Sequence, residues 1–196
     1  MSQIKLSPNA SGTGVFTISA PNSSTNRTLT LPDKSGTLVD TSENPFLAYD
    51  SWYLTASHTS TTANAVMSGW TRRTGDHWVN IGSPMSESSG IWTFPSTGIW
   101  RIDINPLWDA GVANNDQSSM AIRSTKDNFS TEESLGGTIL GGDWVVGHGH
   151  SNALFDVEDT TTDKVKYVTA SIASGNLYAG GVASWTWVSY TKLGET

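Results

Sequence analysis

The 196-residue chain contains no cysteine. Disulfides and thiolate metal centres are therefore excluded, and stability has to come from packing and from association between chains. Charge is scarce as well: acidic and basic residues make up 15% of the chain, and 18 acids against 11 bases leave a net charge of −7. Apart from Arg72-Arg73 the cations are dispersed. A chain without a basic face cannot neutralise a phosphate backbone, so nucleic acid is not expected as a partner. No apolar run approaches the roughly 20 residues of a membrane-spanning helix, and membrane insertion is not expected either. The opening MSQIKLSPNASG lacks the charged and apolar blocks of a signal peptide, so a soluble, unprocessed chain is expected. Capped apolar stripes of period 3.6 are missing too, which leaves little room for helix.

What the chain has is glycine, with 19 residues, and tryptophan, with nine. Much of the pattern centres on Gly90–Trp108, GIWTFPSTGIWRIDINPLW. Two strand-like runs, Ile91–Phe94 and Ile99–Ile104, are joined by Pro95-Ser96-Thr97-Gly98. In the second run Trp100, Ile102 and Ile104 take one face while Arg101 and Asp103 take the other, the period of a half-buried strand. Pro95 cannot donate to a ladder and Gly98 tolerates positive φ, so the joint is turn chemistry. Three large apolar groups on one short strand need a second layer to cover them.

Residues 1–45 and 46–196 read as two units, with 41–46 as linker. In the first, Val15–Ile18 and Thr28–Leu31 are short β-prone runs that cannot enclose a core alone. They pack against other copies or another protein, or else form a solvated tail. The second unit reads as all-β. Candidate strands are Trp52–Ser57, Val66–Arg72, Trp78–Ile81, the two runs above, Ser119–Arg123, Ala153–Val157, Lys164–Ile172, Leu177–Tyr178 and Ala183–Leu193. Polar, glycine-rich loops are expected at Ala110–Asp116 and Gly136–Asp143. About ten short strands fit a two-sheet jelly roll or a related barrel. Along Ser184–Tyr190 both faces carry aromatic or apolar groups, which places Trp185, Trp187 and Tyr190 at an interface with a neighbouring subunit.

Chemistry is thinly represented. Only four histidines are present and no Gly-x-Ser-x-Gly elbow occurs, so a nucleophile triad lacks its parts. Asp103, Asp109, Asp143, Asp156, Glu158 and Asp159 are the acids to test as a glycosidase pair, with solvated surface carboxylates as the alternative. His148 and His150, in Gly147-His148-Gly149-His150, form the one metal candidate, with Asp143 or Asp156 as a third ligand. A glycine loop with two exposed imidazoles is the alternative, and no metal or other cofactor is expected. Trp108-Asp109 and Asp143-Trp144 each pair a flat ring with a hydrogen-bonding acid, a combination suited to stacking on a sugar ring. The alternative for these two rings, and for Trp70, is that they fill the sandwich ends or the subunit interface.

Two resemblances sharpen this picture. The block GVFTISAPNSSTNRTLTLPDKSGTLV, residues 14–39, resembles a segment recurrent in tail-fibre and other virion appendage proteins of bacteriophages. Its parts are a short strand, a Pro-Asn-Ser spacer, then Arg27-Thr28-Leu29-Thr30-Leu31-Pro32-Asp33 and Ser35-Gly36-Thr37-Leu38. In such proteins this segment belongs to the virion-proximal or shaft part. The resemblance implies that residues 1–45 anchor to other virion proteins of tail, baseplate or capsid through Phe16, Ile18, Leu29, Leu31 and Leu38. It also implies a location on the phage particle surface.

The second resemblance covers residues 50–196 and is to the C1q/TNF-like jelly roll. Gly90-Ile91-Trp92-Thr93-Phe94-Pro95 followed by Gly98-Ile99-Trp100 looks like that family's Gly-x-Phe-x-x-Pro…Gly-x-Tyr signature. Asp163-Lys164-Val165-Lys166-Tyr167-Val168 is similar to its late Gly-Asp-x-Val strand, with Thr162 where glycine is usual. Gly175-Asn176-Leu177-Tyr178 and Ser184-Trp185-Thr186-Trp187 resemble the closing Ser-x-Phe strand, with Trp for Phe. The family implies a compact homotrimer with aromatic contacts at a threefold axis. The expectation is a non-enzymatic trimeric fibre or spike, anchored to the particle by its N-terminus and binding a host-surface glycan or protein with its C-terminal head. The alternatives are a capsid decoration or head-fibre protein and, third, a glycan-degrading enzyme.

Overall fold

The computed structural model describes residues 47–60, 62–109, 117–141, 146–169, 177–178, 180–182 and 185–196, with positions 11–13, 15, 17, 22, 24–26 and 28 before them. Phe16, Ile18, Leu29, Leu31 and Leu38 lie outside the described residues, as do Asp143 and Trp144. The chain divides into two compact units, Met1–Asp40 and Thr41–Thr196. Every regular element among the described residues is a strand, all in the second unit.

The strands in chain order are β1 (Ala48–Leu54), β2 (Ala65–Val66), β3 (Trp70–Arg72), β4 (Ser86–Ser88) and β5 (Ile91–Thr93). There follow β6 (Gly98–Asn105), β7 (Leu107–Asp109), β8 (Gln117–Thr125), β9 (Glu133–Gly141) and β10 (Val146–His148). Last come β11 (Ser151–Val157), β12 (Lys164–Thr169), β13 (Leu177–Tyr178) and β14 (Trp187–Gly194). One main sheet runs β11-β6-β14-β1-β3; the other runs β4-β5-β12-β8-β9, with β2 also paired to β12. A small sheet, β10-β7-β13, completes the set. Pairings in both main sheets are antiparallel.

The core lies between the two main sheets. From one come Trp70, Trp100, Ile102, Ile104, Phe155, Val188 and Tyr190, and from the other Trp92, Met120, Ile122, Val165 and Tyr167. Pro95–Thr97 therefore carries the chain from one sheet to the other, with Trp92 ahead of it and Trp100 behind. Trp92 packs edge-on against Trp52 at 4.9 Å between ring centres and lies 5.1 Å from the ring of Tyr190. Such edge and tilted contacts are favoured over face-to-face stacking by the ring quadrupoles.

Several boundaries differ from expectation. Glu133–Gly141 is a strand where a loop was expected at Gly136–Asp143; Gly137 is there for close packing, since a Cβ on it would stand 2.8 Å from the Met120 carbonyl oxygen. β4 carries no apolar residue and β7 does not alternate, so neither gives a period-2 signal. Conversely, Trp78–Ile81 is not a strand. Only Ile81 pairs, with Tyr49, because a turn from the Gly75 carbonyl to the Trp78 N–H precedes it. β12 runs over Lys164–Thr169, with 170–172 outside the described residues, and β14 starts at Trp187.

Candidate functional site

The two sheets present different outer faces. Around the second sheet Lys164, Lys166, Arg123 and the hydroxyls of Ser86, Ser88 and Thr93 face outward, alternating with the buried chains. Ile139 of β9, 71% exposed, interrupts this polar surface. The five-stranded sheet carries aromatic rings on its outer face as well. Its register aligns three outward rows: Leu154–Arg101–Thr191–Tyr49, Asn152–Asp103–Ser189–Ser51 and Asn105–Trp187–Tyr53–Thr71. Leu154 is 61% exposed on this face, and Leu193 is exposed beside it.

Arg73 follows β3 at the edge of the same face, its N–H bonded to the Ser51 carbonyl. Its side chain is buried, with the guanidinium 4.4 Å from the ring centre of Trp78 and 4.6 Å from that of Trp187. A flat cation between two electron-rich ring faces is a favourable stack, worth more as it is desolvated. Burial lowers the Arg73 pKa, and Tyr49 offsets part of that. Ser51 and Ser189, on an outward row, are also buried. The stack holds down the 74–80 loop, where the Asn80 amide donates to the Arg73 carbonyl at 2.9 Å. Behind that loop Tyr49, Val79, Ile81 and Thr191 line an open apolar groove of about 340 Å³.

A second polar hub fixes the inner side of this edge. Asp50 is buried and accepts hydrogen bonds from Trp52 Nε1, Arg72 Nε and the Met85 N–H. Paired this fully, a buried carboxylate is tolerated, and it ties β1, β3 and the 83–85 segment together.

The expected site residues fall out as follows. Trp108 is only 1% exposed and lies in the core cluster, so it cannot stack on a ligand; this corrects its assignment as a sugar platform. Trp70 is a core ring too, donating from Nε1 to the Met67 carbonyl. Asp109, half-buried at the end of β7, is thereby separated from any Trp108 platform. Tyr190 is also corrected: it has no exposed surface and its hydroxyl meets Tyr167 inside the sandwich, so it cannot touch a neighbouring subunit. Trp187 is half-buried under Arg73, and Trp185 is 39% exposed. His148 and His150 are exposed; His150 Nε2 lies 3.4 Å from Asp103, whose carboxylate also accepts from Arg101. No group of three or more potential metal ligands gathers among the described residues. Asp156 and Glu158 lie near Lys126, which donates to the Asp156 carbonyl and the Glu158 carboxylate. The residue that sequence reasoning missed is Arg73, whose two ring partners are remote from each other in the chain.

Compared with solved structures, the chain superposes on murine APRIL at pH 8.5 with a TM-score of 0.54 and 11% identity, over 74% of this chain and 98% of that one. On Eiger TNF from S. frugiperda the TM-score is 0.59 at 12% identity, over 78% and 96%. The fold is a C1q/TNF-like jelly roll. No protein-family model matches the chain, nor does any curated protein in sequence. Within this jelly roll, the outer face of the five-stranded sheet, with the Arg73 stack at its edge, gathers Tyr49, Tyr53, Trp187 and Leu154.

Proposed function

We propose that the chain is a non-enzymatic virion appendage protein: a homotrimer whose residues 1–45 anchor it to the particle and whose jelly-roll head binds a host-surface receptor. The observation that carries the reading is apolar surface left open at strand positions: Leu154, Leu193 and the half-buried Trp187, Tyr49 and Tyr53 on the five-stranded sheet, and Ile139 on the other. Such a surface is covered by association, and a jelly roll lacking disulfides gains stability from it. Three copies acting together raise the avidity of individually weak receptor contacts. The phage context rests on the resemblance of residues 14–39 to fibre segments.

Light scattering of the purified chain tests the assembly; a mass of three chains is expected, and a dilute monomer of unchanged stability would overturn it. Gold-labelled antibody on intact particles tests the location. Labelling at the tail agrees with the attachment reading, labelling over the head selects the capsid-decoration alternative, and no labelling overturns the virion assignment.

A further inference from the structure

Trp78 stands out because it is ordered and exposed at once. Its ring is 40% exposed, yet one face is fixed on the Arg73 guanidinium, which Trp187 backs in turn. A large ring held this way has already lost its rotamer freedom, so a ligand stacking on it is spared that cost. The loop beneath exposes Asp76 and His77 beside Trp78, and Val79, 68% exposed, lines the groove behind together with Ile81. Asn80, on the Trp78 side, donates from Nδ2 to Arg73, but its Oδ1 is buried and has no hydrogen-bond partner among the described residues. Asn105, directly across from Trp187 in register, likewise leaves Nδ2 without one. Both amide atoms are buried, so they belong to the packing around the stack and not to its open face.

We propose that Trp78 is a carbohydrate-stacking platform, taking the C–H face of a pyranose ring while Asp76 and His77 meet its hydroxyls. A pyranose matches both halves of the site, having an apolar face and a rim of hydroxyls that donate and accept at short spacing. The side of Trp78 that carries Asp76 and His77 suits hydroxyls, whereas a protein partner would seat on Val79 and the apolar groove behind, an outcome the test separates. The platform lies at the β3 edge of the five-stranded sheet, the edge opposite Leu154 on β11. It rests on the attachment reading above and gives that reading a ligand class and a place.

The test uses the full chain with methyl pyranosides of glucose, galactose, mannose and rhamnose, and with N-acetylglucosamine, each as free probe. Saturation-transfer NMR is expected to show transfer from the protein to the ring C–H protons of at least one of them. Trp78→Ala should weaken that binding by roughly tenfold or more, a change of ~1.4 kcal/mol. Trp78→Phe should recover most of it, and light scattering and near-UV circular dichroism should show assembly and fold retained. Arg73→Lys keeps the charge but not the flat stack, and should weaken binding without removing the ring. No transfer to any probe, or equal binding by Trp78→Ala, overturns the platform. Blocking of particle adsorption by purified protein separates this from the broader reading. If wild type and Trp78→Ala block equally, attachment stands and the platform falls. If blocking needs Trp78 but no saccharide binds, the partner is a protein and the carbohydrate assignment falls. If a saccharide binds through Trp78 but nothing blocks adsorption, the platform stands and attachment falls.

Discussion

The Tyr167 hydroxyl donates to the Tyr190 hydroxyl at 2.7 Å, joining β12 of one sheet to β14 of the other inside the core. Both side chains are fully buried. Removing either hydroxyl strands the other without water, which costs about 1–3 kcal/mol, whereas removing both leaves an apolar contact of nearly the same shape. Tyr167→Phe and Tyr190→Phe should therefore each lower the urea midpoint, and the double variant should recover much of the loss. Simple additivity of the two losses would show that the hydroxyls are not coupled.

The same burial sets an alkaline limit. Desolvation raises the pKa of Tyr167 and of Tyr190 far above the ordinary 10.0, and it pushes Tyr178, bonded to Ser118, up to about 12. The folded state holds these phenols protonated, so their contribution is complete below pH 10 and declines as pH rises beyond it. Absorbance of phenolate should show these three ionising together with unfolding near or above pH 12. Their smooth titration in a still-folded protein would contradict the burial.

Much of the jelly roll was legible in the chain because strand alternation is written in residue types. Trp100, Ile102 and Ile104 read as an inward row and are one. Tyr190 marks the limit of that rule: Trp185 and Trp187 are two apart, but Tyr190 is out of phase with Trp187 and belongs to the opposite, inner face. Trp108 was illegible for another reason. In β7 both Leu107 and Trp108 are buried, and without alternation a core ring looks like an exposed one. The Arg73 stack was hidden by distance, because nothing in the local sequence brings Trp78 and Trp187 to one guanidinium.

Asp163 is buried at the turn between β11 and β12 and accepts the N–H groups of Glu158 and Asp159. Burial alone would raise its pKa, but these bonds and the Lys126 ammonium at 3.3 Å bring it below 3.8. A depressed carboxylate stabilises the fold above pH 3.8, and that contribution is lost as pH falls through the lowered value. Asp163→Asn should cost about 1–3 kcal/mol at neutral pH. It should also flatten the fall of stability below pH 3.8; an unchanged acid limb in urea titrations would assign that limb to other groups.

His58 acts in the opposite sense. It exchanges backbone hydrogen bonds with Tyr178, its Nε2 lies 3.5 Å from the Thr169 hydroxyl, and burial lowers its pKa below 6.5. The fold favours neutral imidazole, so the contribution is whole above pH 6.5 and shrinks as pH drops towards the folded value. The melting temperature should fall between neutral pH and about pH 5, and His58→Gln should remove that part of the slope.

The β4–β5 hairpin depends on one glycine. Ser88 pairs with Ile91 across a two-residue loop in which Ser89 has φ 55° and Gly90 φ 82°. Two positive φ angles match the right-handed twist of the flanking strands, and the second position suits glycine best. Here space adds to conformation: a Cβ on Gly90 would stand 2.5 Å from Val66 Cγ1 and 2.6 Å from the Met67 carbonyl oxygen. Backbone cannot rotate away as a side chain can, and Glu87 further holds the loop by accepting the Gly90 N–H. Strain of this kind costs on the order of 1–3 kcal/mol before the clash is counted. Gly90→Ala should therefore destabilise more than that, whereas Ser89→Asn, which suits the same backbone angle without meeting a wall, should be neutral or mildly stabilising. Urea midpoints of the two variants compare them directly, and similar losses from both would mean that turn strain, not the approach of β2, governs the hairpin.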